Sequence, residues 1–187
     1  MFDAILDHPD LWSLCRSSCF ENEIGIDLSE KLREDLESGI FEKIMILKID
    51  AYYHPSKMAK PKRSIDCLII VKCINTGYEF YLVELRNVVS PKGLKKAEIN
   101  EKFMTTIEDF LKNRFQDIFM DKDYCLNKFE LYCVTDAYRL KNLNEEQYKK
   151  RISVLEKELL LLQKIFTFRD KKATIKLKLP NPLITEC

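Results

Sequence analysis

The residues best suited to chemistry lie close together. Asp66 opens an almost continuously apolar run, Ile65 to Ile74, and Glu84-Leu85-Arg86 closes a second one, Tyr78 to Val89. Between the runs stands Asn75-Thr76-Gly77, a hairpin signal. The hairpin register decides whether the acids meet, because residues opposite each other on paired strands share a sheet face. A two-residue loop pairs position 75 with 78, puts Asp66 opposite Asn87 and sends Glu84 to the other face. A three-residue loop pairs 74 with 78, puts Asp66 opposite Arg86 and leaves Glu84 one diagonal away on the same face. The second is preferred, because Gly77 then takes the third loop position, where a left-handed residue is wanted. Glu84 and Arg86 are two apart and share a face in either register.

Two carboxylates and a guanidinium therefore meet inside an apolar sheet. Burying them costs several kcal/mol unless they are paired or bind a metal. A divalent cation relieves the repulsion of adjacent carboxylates. Mg²⁺ suits one or two of them plus waters and a substrate phosphate, which is the layout for metal-assisted phosphodiester hydrolysis.

Ser64-Ile65-Asp66, a hairpin, and then Tyr81-Leu82-Val83-Glu84-Leu85-Arg86-Asn87 resembles the PD-(D/E)xK nuclease superfamily, the restriction-endonuclease-like fold. The resemblance covers about 110 residues by element order. It implies an αβββαβ core over about 27–138 and Mg²⁺ or Mn²⁺ held by Asp66, Glu84 and the Leu85 carbonyl. It further implies an assisting acid on the first core helix, Glu30 or Glu34. Two positions depart from the pattern. Ile65 replaces a proline, and Arg86 stands where a lysine is expected to orient or activate the attacking water. Arginine stays charged near neutral pH and cannot act as a base. It can stabilise a developing phosphorane or position water, and it can equally pair with the acids and silence the site. Lys72 shares the face of Asp66 but lies six residues away, near the turn.

Basic residues flank this segment: Lys57, Lys60, Lys62 and Arg63 before Asp66, and Lys92, Lys95 and Lys96 after Glu84. Both groups are placed to contact phosphates. Lysines also decorate loops and helix starts without binding anything. A third group, Arg169, Lys171, Lys172, Lys176 and Lys178, suits an edge strand. His8 and His54 are too sparse for a histidine mechanism. No sequence-reading element and no phosphate-binding glycine loop is present.

The elements that position these residues follow from periodicity. Residues 3–20 suggest a helix with Asp10 as cap. Leu28, Leu32 and Leu36 define a second helix, stopped by Gly39. Lys43 to Tyr53 alternates as a strand, and His54 to Ser64 is a loop with two prolines. The two hairpin strands, apolar on both faces, belong at the centre of a sheet. Lys95 to Phe119 reads as a long helix with Ile99, Phe103, Ile107, Phe110, Leu111 and Phe115 on one side. Phe129 to Tyr138 is a fourth strand, and Asn144 caps a last helix running to about Phe166. Ala173 to Leu179 is an edge strand. The expected fold is α/β: a single domain over 1–187 with a central mixed sheet of four to five strands flanked by helices. A C-terminal helix and edge strand over 144–179 complete it. The stripe Tyr148, Ile152, Leu155, Leu159, Leu162 and Phe166, widened by Leu160 and Leu161, packs a core or forms a homodimer.

Of the 187 residues, 46% are hydrophobic and 33% charged, which excludes global disorder. The formal net charge of +1 means any nucleic-acid affinity must come from local clusters. No apolar run reaches the ~20 residues of a membrane helix. The acids in the first twelve residues do not suit a secretory signal. The seven cysteines, an odd number, are expected to be reduced in the cytoplasm, and Cys15 and Cys19 lack a second pair to complete a zinc site. Two functions follow: a metal-dependent nuclease with DNA favoured over RNA, or a catalytically inactive nuclease-like module that binds nucleic acid or a protein partner. A third reading, an unrelated α/β domain with coincidental hairpin acids, stands beside them.

Overall fold

The structure is a computed structural model. It describes all residues except 55, 57–59, 75, 76, 89, 91, 92, 138–142, 145, 148, 152 and 155–163. In chain order the described elements begin with α1 (Phe2–Asp7), α2 (Pro9–Trp12), β1 (Cys15–Arg16), β2 (Phe20–Glu21), β3 (Ile24–Gly25), β4 (Asp27–Leu28) and α3 (Glu30–Ser38). Then come β5 (Ile44–Lys48), β6 (Cys67–Lys72), β7 (Gly77–Arg86) and α4 (Lys96–Met104). A π-helical segment (Thr105–Arg114) runs on from α4 to α5 (Gln116–Phe119). The order closes with β8 (Cys125–Thr135), β9 (Phe166–Phe168), β10 (Lys171–Ala173), β11 (Ile175–Lys178) and β12 (Leu183–Ile184).

The central sheet is mixed and six-stranded, in the order β1-β5-β6-β7-β8-β11. The first four strands are antiparallel neighbours, while β7–β8 and β8–β11 are parallel. Parallel β7 and β8 need a crossover, and the helices over 96–119 supply it. They cover one face of the sheet with Ile99, Phe103, Ile107, Phe110 and Leu111, packed on Leu68, Ile70, Phe80, Leu82 and Leu131. The other face carries Leu32 and Leu36 of α3 against Cys67, Ile69, Val71, Tyr81 and Val83. Both apolar faces of β6 and β7 are thus buried, as their composition requires.

Several expectations are corrected. The sheet has six strands rather than four or five, because β1 arises inside the segment expected to be helical. Pro9 breaks that helix: the residue before a proline is pushed out of the α region, and His8 sits at φ −90°, ψ 113°. Asp10 is no cap; its carbonyl accepts a bond from the Ser13 hydroxyl at 2.7 Å. Phe166 ends no helix but lies in β9, where it and Phe168 point inward around exposed Thr167. Asn144 does cap, its Oδ1 accepting from the Gln147 N–H at 3.0 Å. Most of the stripe behind it, from Tyr148 to Leu162, lies outside the described residues.

The hairpin register differs from both alternatives. Lys72 pairs with Tyr78 and Cys67 with Val83, and the Cys73 N–H donates to the Gly77 carbonyl at 2.8 Å. Gly77 is the first residue of β7, not a loop residue. A Cβ there would stand 2.3 Å from the Asn127 side chain of β8, so any other residue would have to displace that amide. The shift from the preferred register is two residues, which preserves every side chain's face.

Candidate active site: a buried acid pair between two cations

Continuing that register, Asp66 stands directly opposite Glu84 rather than Arg86. The backbone binds it there: the Asp66 N–H donates to the Val83 carbonyl at 3.1 Å, and the Leu85 N–H donates to Asp66 Oδ2 at 2.7 Å. Asp66 is 6% exposed and Glu84 0%. Both lie on the face covered by α4 and the π-helical segment. Arg86 shares that face, with its Nε 2.6 Å from Glu84 Oε1 in an ion contact without the alignment of a hydrogen bond.

The fourth member comes from α4. Lys102 Nζ donates to both carboxylate oxygens of Glu84, at 2.8 and 3.0 Å. Sequence reasoning missed it. Its signal was helical spacing: Lys102 lies three residues after Ile99 and four before Thr106, both buried on the inward stripe. Lys72, the lysine weighed from sequence, is exposed at the far end of β6. Thr106 ties α4 to the strand entry, accepting from the Ile65 N–H at 3.3 Å and donating to the Lys102 carbonyl at 3.0 Å.

Burial, reinforced by the neighbouring Asp66 charge, pushes Glu84 up to about 8, against the opposing pull of Lys102 and Arg86. A third acid, Asp50, stands close enough to Asp66 to feel its charge. Burial first and then that charge raise its carboxyl above the ordinary range, against Lys48. Asp50 Oδ1 is buried without a hydrogen bond, while Oδ2 lies 3.5 Å from Lys48 Nζ. Cys133, opposite Glu84 on β8, is fully buried, and its thiol is pushed up to about 12.

Glu30 and Glu34 do not reach this cluster. They are exposed on α3, which covers the opposite face of the sheet. The buried acid of α3 is Asp35, whose carboxylate accepts the N–H groups of Glu42, Lys43 and Ile44 at the start of β5.

The basic residues are distributed unevenly. Lys57 and Lys92 lie outside the described residues. Lys62 pairs with Asp109 at 2.8 Å, Arg63 with Glu98 at 3.2 Å and Lys95 with Glu98 at 3.1 Å. These two lysines and one arginine therefore fasten the loop before Asp66, and the start of α4, to the helical layer beside the site. All three remain about half exposed or more. Lys60 is exposed, and Lys96 opens α4. In the C-terminal group, Lys176 pairs with Glu130 at 2.8 Å, and Arg169 stacks over the Tyr124 ring at 4.3 Å.

The cysteines depart from the expectation of seven thiols. The structure joins Cys19 to Cys67 and Cys73 to Cys187, with Cα–Cα distances of 6.1 and 5.3 Å, inside the usual disulfide span. Cys15, Cys125 and Cys133 are free. No helix among the described residues is long and apolar enough to cross a membrane.

Compared with protein-family models, curated proteins and solved structures, the chain matches none.

Proposed function

We propose that this chain is a metal-dependent nuclease, with DNA favoured over RNA as substrate. The observation that carries the reading is the convergence of Asp66, Glu84, Arg86 and Lys102 on one sheet face. The donor set suits a hard divalent cation such as Mg²⁺ or Mn²⁺. Two carboxylates face each other, and the Leu85 N–H bond falls on only one oxygen of Asp66. Asp66, Glu84 and the Leu85 carbonyl are the groups that would hold it. When bound, the cation would polarise a phosphoryl oxygen and lower the pKa of a coordinated water.

The protein's own groups divide the remaining work. Lys102 supplies the ammonium that the resemblance expects at position 86, brought from a helix instead of the strand. From that position it would orient the attacking water. Arg86, permanently charged, stabilises charge developing on the phosphate. Lys60, Lys62, Arg63, Lys95 and Lys96 contact flanking phosphates.

A second reading is favoured by one observation: Lys102 already bonds both oxygens of a fully buried Glu84. In that reading the four residues are a structural ion network, and the domain binds nucleic acid or a protein partner without cutting. Calorimetry with Mg²⁺ and Mn²⁺, followed by plasmid cleavage on the same samples, separates the two. The nuclease reading expects binding and cleavage in the native protein, both lost in Asp66→Ala and Glu84→Ala. It further expects cleavage reduced at least a hundredfold in Lys102→Ala with metal binding retained. A folded protein that binds no cation and cuts nothing would overturn it and favour the second reading.

A further inference from the structure

We propose that Cys73, Cys187 and Glu79 form a zinc site when the two cysteines are reduced. This inference is independent of the nuclease reading. Glu79 points to the opposite face of β7 from Glu84, since the two are five residues apart in an unbroken strand. The ligand atoms come from distant parts of the chain. Cys73 follows β6, Glu79 lies in β7, and Cys187 lies 114 residues beyond Cys73. One sulfur from each cysteine and a Glu79 oxygen all lie within 4.8 Å of one another. Two thiolates and one carboxylate, with water in the fourth position, make a tetrahedral zinc set.

The surroundings suit a cation at that point. Glu79 is buried, and its Oε2 accepts from the Tyr81 hydroxyl at 2.5 Å and from Lys128 Nζ at 3.0 Å. Both bonds fall on the same oxygen, so they aim the carboxylate while its other oxygen can face a metal. Partners of this kind orient the ligands of bound zinc. The charges also balance: two thiolates and a carboxylate carry −3, Zn²⁺ supplies +2, and Lys128 supplies +1. Without a cation, reduction would leave two ionisable thiols beside a buried carboxylate. Cys187 is exposed, which gives the ion a route in.

The chemistry is a choice between two closures of one clasp. In the oxidised form the sulfurs bond to each other. A phosphine reductant takes up one oxygen from water and is oxidised to its phosphine oxide, while the disulfide gains two electrons and two protons and opens to two thiols. Zinc binding then releases both protons. Either closure pins the segment in which β12 pairs with β4 and Glu186 meets Ser29 at 2.7 Å.

The test is a Co²⁺ titration of the phosphine-reduced, desalted chain under anaerobic conditions, with thiol counting to establish complete reduction. The expected result is one equivalent of Co²⁺ with a thiolate-to-metal charge-transfer band and tetrahedral visible bands, displaced by Zn²⁺. Cys187→Ser, whose side chain is exposed, should abolish the bands with the far-ultraviolet dichroism unchanged. Glu79→Gln should weaken affinity at least tenfold. Absence of the bands in the fully reduced protein would overturn the proposal. So would bands that survive Cys187→Ser, which would place the metal on other cysteines, or affinity unchanged in Glu79→Gln.

Discussion

Glu84 is the residue on which the interior electrostatics turn. It is wholly buried, and Lys102 donates both of its hydrogen bonds. Removing one partner of a buried pair leaves a polar group without its hydrogen bonds, which is worse than removing both. Lys102→Ala should therefore lower unfolding stability by about 1–3 kcal/mol, and the double variant Lys102→Ala/Glu84→Gln should recover part of that loss. Urea unfolding of the four members of the cycle measures the coupling, and additive losses would show that the pair is not energetically joined. Asp109 gives a pH prediction. Burial pushes its carboxyl up, but hydrogen bonds from Lys62, Arg114 and Tyr53 together outweigh that and hold it at about 2. A depressed acid contributes stability above its unfolded value near 3.8, and that contribution is lost as pH falls toward 2. The midpoint of thermal unfolding should drop over this window, and Asp109→Asn should flatten the drop.

Among the elements, α3 shows most directly how local sequence sets a boundary. Gly39 caps it in the left-handed region at φ 68°, and its N–H donates to the Leu36 carbonyl at 3.2 Å. A Cβ at Gly39 would meet nothing within 4 Å, so a side chain there suffers only the backbone penalty. Gly39→Ala should cost about 1 kcal/mol and Gly39→Asn less, since asparagine tolerates this conformation. Chemical denaturation of both variants checks the order. The stripe from Ile99 to Leu111 fixed the inward side of the helical layer in advance, and the structure buries all five of its residues. That same stripe carried Lys102 to the sheet, although neither its charge nor its type announced a role. The hairpin was legible in outline: two buried strands, adjacent and central, with Glu84 and Arg86 on one face. Its register was not, because Gly77 read as a loop glycine, whereas it opens β7 beside Asn127 from a strand 50 residues later.

For the whole molecule, the two disulfides close loops with sequence separations of 48 and 114 residues. Cross-links of that span remove denatured-state entropy worth about 4 kcal/mol or more each in the chain-entropy account. The oxidised chain, denatured without reductant, should take up three alkyl groups, matching Cys15, Cys125 and Cys133. After reduction it should take up seven. Mass spectrometry reads both numbers, and seven without reductant would return all the cysteines to thiols. The melting temperature should fall on reduction in metal-free buffer.

The sequence by itself determined what depends on the chain's own periods. The alternation of β7 put Glu84 and Arg86 on one face, helical spacing placed a continuous apolar stripe over 99–111, and Gly39 ended α3. Such periods orient a side chain relative to its own backbone and say nothing of what comes to meet it. Tertiary structure decided the partners. The pairing of β6 with β7 brought Asp66 opposite Glu84, and docking of α4 delivered Lys102. The fold brought Cys19 to Cys67 and Cys187 to Cys73. Each of these contacts depends on which surfaces of separate elements pack together, and local spacing carries no record of that choice.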